Sequence, residues 1–190
     1  MSNVTFLALS GSTRPGSVNT MLANAMVERA KKAGADAKLI SLKDYPAPLY
    51  DTELESADGV PSSIKQLYDL IASTSAIFVA SPEYNGGYTP LLKNTIDWMS
   101  RVKSESGHAF RDPLYSLGAV SPGVQGGVNG LYQLRPTIAR LGAIVMPEQL
   151  TIGGGASAFG DDGDFTNERT QGLADAQLSR LLETAAKLKG

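Results

Sequence analysis

Leu9-Ser10-Gly11-Ser12-Thr13-Arg14-Pro15-Gly16-Ser17-Val18-Asn19-Thr20 joins an apolar run to a helical pattern through small, hydrogen-bonding residues and one arginine. Residues 4–9 read as a buried strand, and from Val18 onward Leu22, Ala25, Met26 and Ala30 recur at helical spacing. The small residues therefore lie where a strand's carboxyl end meets a helix's amino end. Free N–H groups of a first helical turn and the positive end of the helix dipole favour an anion there, and Ser or Thr hydroxyls add donors. The spacing from Gly11 to Gly16 suggests a nucleotide triphosphatase P-loop, but that loop requires Lys and then Ser or Thr after its second glycine, where this chain has Ser17 and Val18. The dinucleotide fingerprint G-x-G-x-x-G is also missing from this turn. A terminal phosphate monoester remains. Paired guanidinium donors and several hydroxyls match its charge, which makes Arg14, Ser12, Ser17 and Asn19 candidate ligands. A plain turn fits the same residues, with Ser17 or Asn19 capping the helix, Pro15-Gly16 reversing the chain and Arg14 in solvent.

A second loop of this kind follows the apolar run 76–80. It reads Ser81-Pro82-Glu83-Tyr84-Asn85-Gly86-Gly87-Tyr88-Thr89-Pro90, after which Leu91, Leu92, Ile96 and Met99 resume helical spacing. Pro82 and Pro90 restrict the backbone, Gly86-Gly87 permits close approach, and Tyr84 and Tyr88 offer an aromatic wall with polar tips, which suits a flat heterocycle. An ordinary strand-to-helix loop with Pro at the helix start is the competing reading. In an open α/β sheet, loops at the carboxyl ends of strands converge where the strand order reverses, so both loops are expected to face one crevice.

Gly11-Ser12-x-Arg14-x-x-Ser17-x-Asn19, followed by Pro82-Glu83-Tyr84-Asn85 and Leu92-Lys93-Asn94-x-Ile96-Asp97-Trp98, resembles the NADPH-dependent FMN reductase family, flavodoxin-like enzymes that include quinone and chromate reductases. The resemblance runs from the first strand to the helix around Gln133-Leu134-Arg135. It implies FMN held by its phosphate at Ser12, Thr13, Arg14, Ser17, Val18 and Asn19, with Pro82, Glu83, Tyr84 and Asn85 lining the isoalloxazine. A third contact is implied at Ser121 and Gly123, in a small-residue turn from which Pro122 departs in composition. The same resemblance implies NADPH or NADH as electron donor, and a quinone, chromate, ferric complex, azo dye or free flavin as acceptor. It also implies a homodimer or dimer of dimers in which partner residues complete the pocket. The cofactor carries the electrons, so no catalytic side chain is assigned. Arg101 and Lys103, just beyond the helix that follows the second loop, could meet nicotinamide phosphates, although charge patterning favours a solvated helix end.

The remaining chain alternates strand and helix patterns. Helices are expected over 18–33, 61–73, 90–100, 127–141 and 167–189, and strands over 37–42, 76–80, 117–120 and 143–145. Right-handed crossovers then give one α/β domain over 1–190, three-layer α/β/α and flavodoxin-like, with a five-stranded parallel sheet whose order 2-1-3-4-5 is carried over from fold analogy. The helix bearing Leu91, Leu92, Ile96, Trp98 and Met99 offers an apolar face that reads as core by default, with a subunit interface as the alternative.

Composition narrows the function. With 17 basic and 19 acidic residues and a net charge of −2, there is no nucleic-acid surface to expect. No apolar run approaches membrane-spanning length and no leader pattern opens the chain, so a cytoplasmic protein without membrane partners is expected. The chain has no cysteine, which excludes disulfides, thiolate metal sites and a cysteine nucleophile. His108 is the only histidine and no G-x-S-x-G elbow accompanies it, so it reads as an exposed loop residue. Asp161-Asp162-Gly163-Asp164 lacks the ligand spacing of a calcium loop and reads as a solvated turn, so no metal site is expected. Gly153-Gly154-Gly155 reads as flexible backbone at the rim. A one-electron carrier and a flavin-free phosphate-binding interaction domain remain as alternatives on the same fold.

Overall fold

Side-chain alternation along the inner strands sorts the core into two sheets of contacts. In the computed structural model, which describes residues 4–189, β1 (Thr5–Ser10) sends Phe6 and Ala8 to one face and Leu7 and Leu9 to the other, all of them buried. β3 (Ala76–Ala80) does the same with Ala76, Phe78 and Ala80 against Ile77 and Val79. Strands buried on both faces read as continuous apolar runs, which is the mark of a parallel sheet covered by helices on each side.

The helices divide accordingly. α1 (Val18–Lys32) and α6 (Glu168–Lys189) bury Leu22, Met26, Ala30, Leu178 and Leu181 against the first face. α3 (Ser62–Ala72), α4 (Pro90–Met99) and α5 (Val128–Arg140) cover the second. On α3, Ile64, Leu67, Tyr68 and Ile71 recur at the spacing of one helical stripe, and burying each contributes about 1.5–3 kcal/mol of transfer free energy. α4 buries Leu92, Ile96, Trp98 and Met99, so its apolar face is core, as its sequence suggests. The short α2 (Thr52–Asp58) buries nothing and is held at its start by Asp51, whose carboxylate accepts the N–H groups of Glu53 and Leu54.

With β2 (Asp36–Ser41), β6 (Leu114–Val120) and β7 (Ile144–Ile152), the five-stranded sheet has the order β2-β1-β3-β6-β7, every pair parallel. Numbered by the parallel strands alone, this is the expected 2-1-3-4-5, in three α/β/α layers. Two strands exceed their expected lengths. β6 begins at Leu114, ahead of Leu117, because Ser116 is buried behind a hydrogen bond from Gln177 Nε2 at 2.7 Å. β7 continues past Pro147 to Ile152, which an edge strand tolerates because its outer side needs no ladder donor.

The register slips between Tyr115↔Val145 and Leu117↔Gln149, and backbone carbonyls around this bulge are met by side chains from both layers. Gln177 donates to Leu117 O at 3.0 Å from α6, and Arg135 donates to Val145 O at 3.4 Å and Pro147 O at 3.3 Å from α5. Burial pushes the pKa of the Arg135 guanidinium down from its ordinary value.

The final hairpin is small. β4 (Glu83–Tyr84) pairs antiparallel with β5 (Gly87–Tyr88) across Asn85-Gly86, with φ of 53° and 80°, as a two-residue type I′ turn requires. Among the described residues no helix is long and apolar enough to cross a membrane, and no group of His, Cys, Asp or Glu is placed to hold a metal ion.

Candidate active site

Because the sheet is parallel, β1, β3, β6 and β7 all end at one edge, and the turns that follow them are tied together by specific bonds. Gly11 N–H donates to Ala80 O at 2.8 Å, and Gly11 O accepts the Thr89 hydroxyl at 2.7 Å, joining the first turn to the second. Asn19, only 2% exposed, joins the first to the third. Its Nδ2 donates to Val120 O and its Oδ1 accepts Val120 N–H, both at 2.9 Å. The second and third turns meet where the Glu83 carboxylate accepts Gly130 N–H at 2.9 Å, supplying α5 with the cap that its own Gly127 lacks. Gly155 N–H donates to Ser121 O at 3.0 Å and brings in the turn after β7. Gly126, with φ of 63°, lets that turn close: a Cβ there would stand 2.4 Å from Ile152 N.

The start of α1 is the least satisfied part of this rim. Ser17 occupies the N-cap but its side chain makes no capping bond, and the first turn carries no acidic residue. The first backbone donor after the cap with an acceptor is Met21, which reaches Ser17 O at 3.0 Å, so the N–H groups of Val18, Asn19 and Thr20 have no partner among the described residues. Arg14 is exposed and its guanidinium bonds only to Pro15 O, at 3.4 Å, with no carboxylate in reach. Three unpaired N–H groups, an uncommitted hydroxyl and a guanidinium without a carboxylate partner are a donor set that could hold an anion, as helix amino ends do. A phosphate monoester fits this donor set.

Some candidates take other roles. Both polar atoms of the Asn19 side chain are bonded to Val120, so turning it to a ligand would give up a buried backbone pair, whereas its backbone N–H is uncommitted. The Glu83 carboxylate belongs to α5. Tyr88 donates to Thr137 Oγ1 at 3.2 Å and packs toward α5, whereas Tyr84 is 54% exposed, so the two tyrosines do not build one wall. Ser12, Thr13, Arg14, Ser17 and Val18 lie together in the first turn. Pro82 is buried beneath Gly11, and Asn85 holds the tip of the hairpin. Ser121 donates weakly to Gly123 O at 3.3 Å within the third turn. Gly153 is not loose backbone: its Cβ position lies 3.0 Å from Gly123 O, so the turns after β6 and β7 are packed on each other.

Residues with competing readings lie elsewhere. His108 is half-buried ahead of β6, at the opposite edge of the sheet, where its Nδ1 accepts Phe110 N–H at 3.2 Å. Arg101 is held by both oxygens of Glu55, at 2.9 and 3.0 Å, while Tyr50 donates to Glu55 at 2.8 Å. Arg101 and then Tyr50 hold the Glu55 carboxyl below its usual pKa range. Asp164 is no free turn residue, since it pairs with Arg29, a side chain 10% exposed that also stacks 4.6 Å over Phe165. A groove of about 840 Å³ lies between α1 and α6 beside Val4 and Gly34, at the amino edge and away from the turns.

The sequence model of the family described as NADPH-dependent FMN reductase matches residues 4–157, from β1 through the turn after β7. The chain belongs to the NADPH-dependent FMN reductase family. A quinone reductase of Escherichia coli K12 is 32% identical over 148 residues, covering 78% of this chain and 76% of that protein. An NAD(P)H:quinone oxidoreductase of Solanum tuberosum is 32% identical over 185 residues, covering 96% and 93%. Among solved structures, the flavoenzyme NAD(P)H:(acceptor) oxidoreductase FerB of Paracoccus denitrificans superposes with a TM-score of 0.81 at 25% identity, over 97% of this chain and 98% of that one. The reductase is thus an oxidoreductase that works with FMN and a reduced nicotinamide nucleotide. Asn94 and Trp98 of the Leu92 to Trp98 motif have a structural reading: Asn94 Nδ2 and Trp98 Nε1 donate to Pro48 O at 2.9 and 2.8 Å, pinning the 45–50 loop to α4.

Proposed function

We propose that this reductase takes hydride from NADPH or NADH onto bound FMN and passes the electrons to a quinone, with chromate and ferric complexes as further acceptors of the same kind. The observation that carries the reading is the uncapped start of α1, with Arg14 beside it, in a turn that Gly11 ties to Thr89 just after the Tyr84–Asn85 hairpin and that Asn19 ties to Val120 just before Ser121. Arg14, the hydroxyls of Ser12, Thr13 and Ser17, and the N–H groups of Val18, Asn19 and Thr20 would hold the phosphate. Pro82, Tyr84, Asn85, Ser121 and Gly123 would border the ring. Bound FMN supplies the two-electron chemistry that side chains lack. The chain's own task is orientation: the bonded turns keep the residues that would hold the phosphate and those that would border the ring at a fixed spacing, and contact geometry with a flat donor or acceptor would supply much of the rate.

We further propose that the protein works in the cytoplasm as a homodimer or dimer of dimers. Val124, 99% exposed, and Leu49, 81% exposed, offer apolar tips that a second copy would cover. Light scattering tests the assembly. The function is tested by adding a quinone, and separately a one-electron acceptor, to purified protein with NADPH or NADH. Rapid oxidation with the quinone supports the reductase. Turnover confined to the one-electron partner would instead make the chain a carrier, and a colourless protein that does not take up FMN would remove the reading altogether.

A further inference from the structure

Thr89 is 1% exposed and lies outside the residues expected to touch FMN, yet its hydroxyl does two things at once. It donates to Gly11 O at 2.7 Å and accepts Leu92 N–H at 3.3 Å, so a single oxygen ties the first turn to the start of α4, directly behind the hairpin of the second turn. The approach is close enough that a Cβ on residue 11 would stand 2.9 Å from this oxygen. Between Gly11 and the Asn19 clamp the first turn has little else to hold it. Ser12 N–H to Ser10 Oγ at 3.2 Å, Arg14 N–H to Ser12 Oγ at 3.3 Å and Ser17 N–H to Arg14 O at 3.2 Å are all long, and residues 13–16 are exposed.

We propose that Thr89 is a positioning residue for FMN: by fixing Gly11 against α4 it sets the distance between the donors for the phosphate and the turn that borders the ring. The proposal rests on the phosphate lying in the first turn. Its consequence is a preference. A ligand that engages both turns benefits from their fixed spacing, whereas riboflavin, which lacks the phosphate, engages only the ring side and gains nothing from it.

Dissociation constants for FMN and riboflavin, measured by flavin fluorescence quenching on apoprotein, read this directly. Wild-type protein must prefer FMN; equal affinities would refute the phosphate assignment itself, independently of Thr89. Thr89→Val is expected to reduce the FMN-to-riboflavin preference about tenfold, since a buried acceptor loses its donor, while Thr89→Ser, which keeps the hydroxyl, retains it. Gly11→Ala perturbs the same bond from the other side, with Gly11's backbone outside the left-handed region, and is expected to lower the preference in the same direction. It decides the matter if Thr89→Val does not fold. Asp51→Ala, which removes the cap of α2, is expected to lower the melting temperature and leave the preference unchanged. An unchanged preference in Thr89→Val or Gly11→Ala would overturn the proposal, as would an equal loss in Asp51→Ala.

Discussion

Replacing Asn19 with alanine separates two roles that the sequence leaves superimposed, phosphate ligand and structural clamp. In the structure the amide exchanges both of its bonds with Val120, at 2.9 Å each, in a site 2% exposed. Removing it orphans one buried N–H and one buried C=O, each at about 1–3 kcal/mol, and with about 1.5 kcal/mol for each, since water can reach this sheet edge in the variant, a total of about 3 kcal/mol is expected. For a domain of this size each kcal/mol moves the melting temperature by about 2–4 °C, which predicts a fall of about 6–12 °C in apoprotein followed by circular dichroism. FMN affinity, titrated well below the transition, should fall less than in Arg14→Ala, because Asn19 offers an anion only its N–H, which alanine retains. A melting temperature unchanged within experimental error, together with a large loss of FMN affinity, would refute the clamp and restore the amide as a ligand.

Arg14→Ala should weaken FMN about 10- to 100-fold by fluorescence titration, the range for a lost charge-assisted contact. The apoprotein's melting temperature should barely move, since the Arg14 side chain bonds only to Pro15 O at 3.4 Å. Burial raises the pKa of Asp164, but its bonds from Arg29 and from Phe165 N–H outweigh this and leave it below the usual range. The pairing therefore adds stability above the unfolded-state pKa and loses it as pH falls through the lower folded value. Asp164→Asn should cost about 1 kcal/mol near neutrality, and the gap from wild type should close in thermal melts below about pH 4. Asn94→Ala removes the acceptor of Tyr50 N–H at 2.8 Å and one of the donors to Pro48 O. It should cost about 1–2 kcal/mol and speed amide exchange in the 45–50 loop, with unchanged exchange counting against the pinning role.

Local pattern carried most of the fold. The 3.6-residue stripe of α3, the continuous apolar runs of β1 and β3, and the Pro at the start of α4 are all properties of neighbouring residues. Pro147 hid the length of β7, because a residue that ends an inner strand is tolerated at a sheet edge, and edge position is not a local property. The hairpin was legible in Asn85-Gly86, the strongest short-range signal for a type I′ turn, but the loop's glycines suggested close approach to a ligand instead. The site divides in the same way. The residues of the first turn are near neighbours in sequence, so the sequence alone groups them. The partners of Asn19 and Glu83 lie 101 and 47 residues away, so nothing near either residue announces that its side chain is already committed. Thr89 is similar: its capping role follows from the proline after it, whereas its bond to Gly11 spans 78 residues.

A crystal structure of the protein with FMN tests the central claim most directly. The phosphate should lie within hydrogen-bond distance of the N–H groups of Val18, Asn19 and Thr20 and of the Arg14 guanidinium, with the ring beside Tyr84. A phosphate bound elsewhere, with the start of α1 left to solvent, would contradict the account.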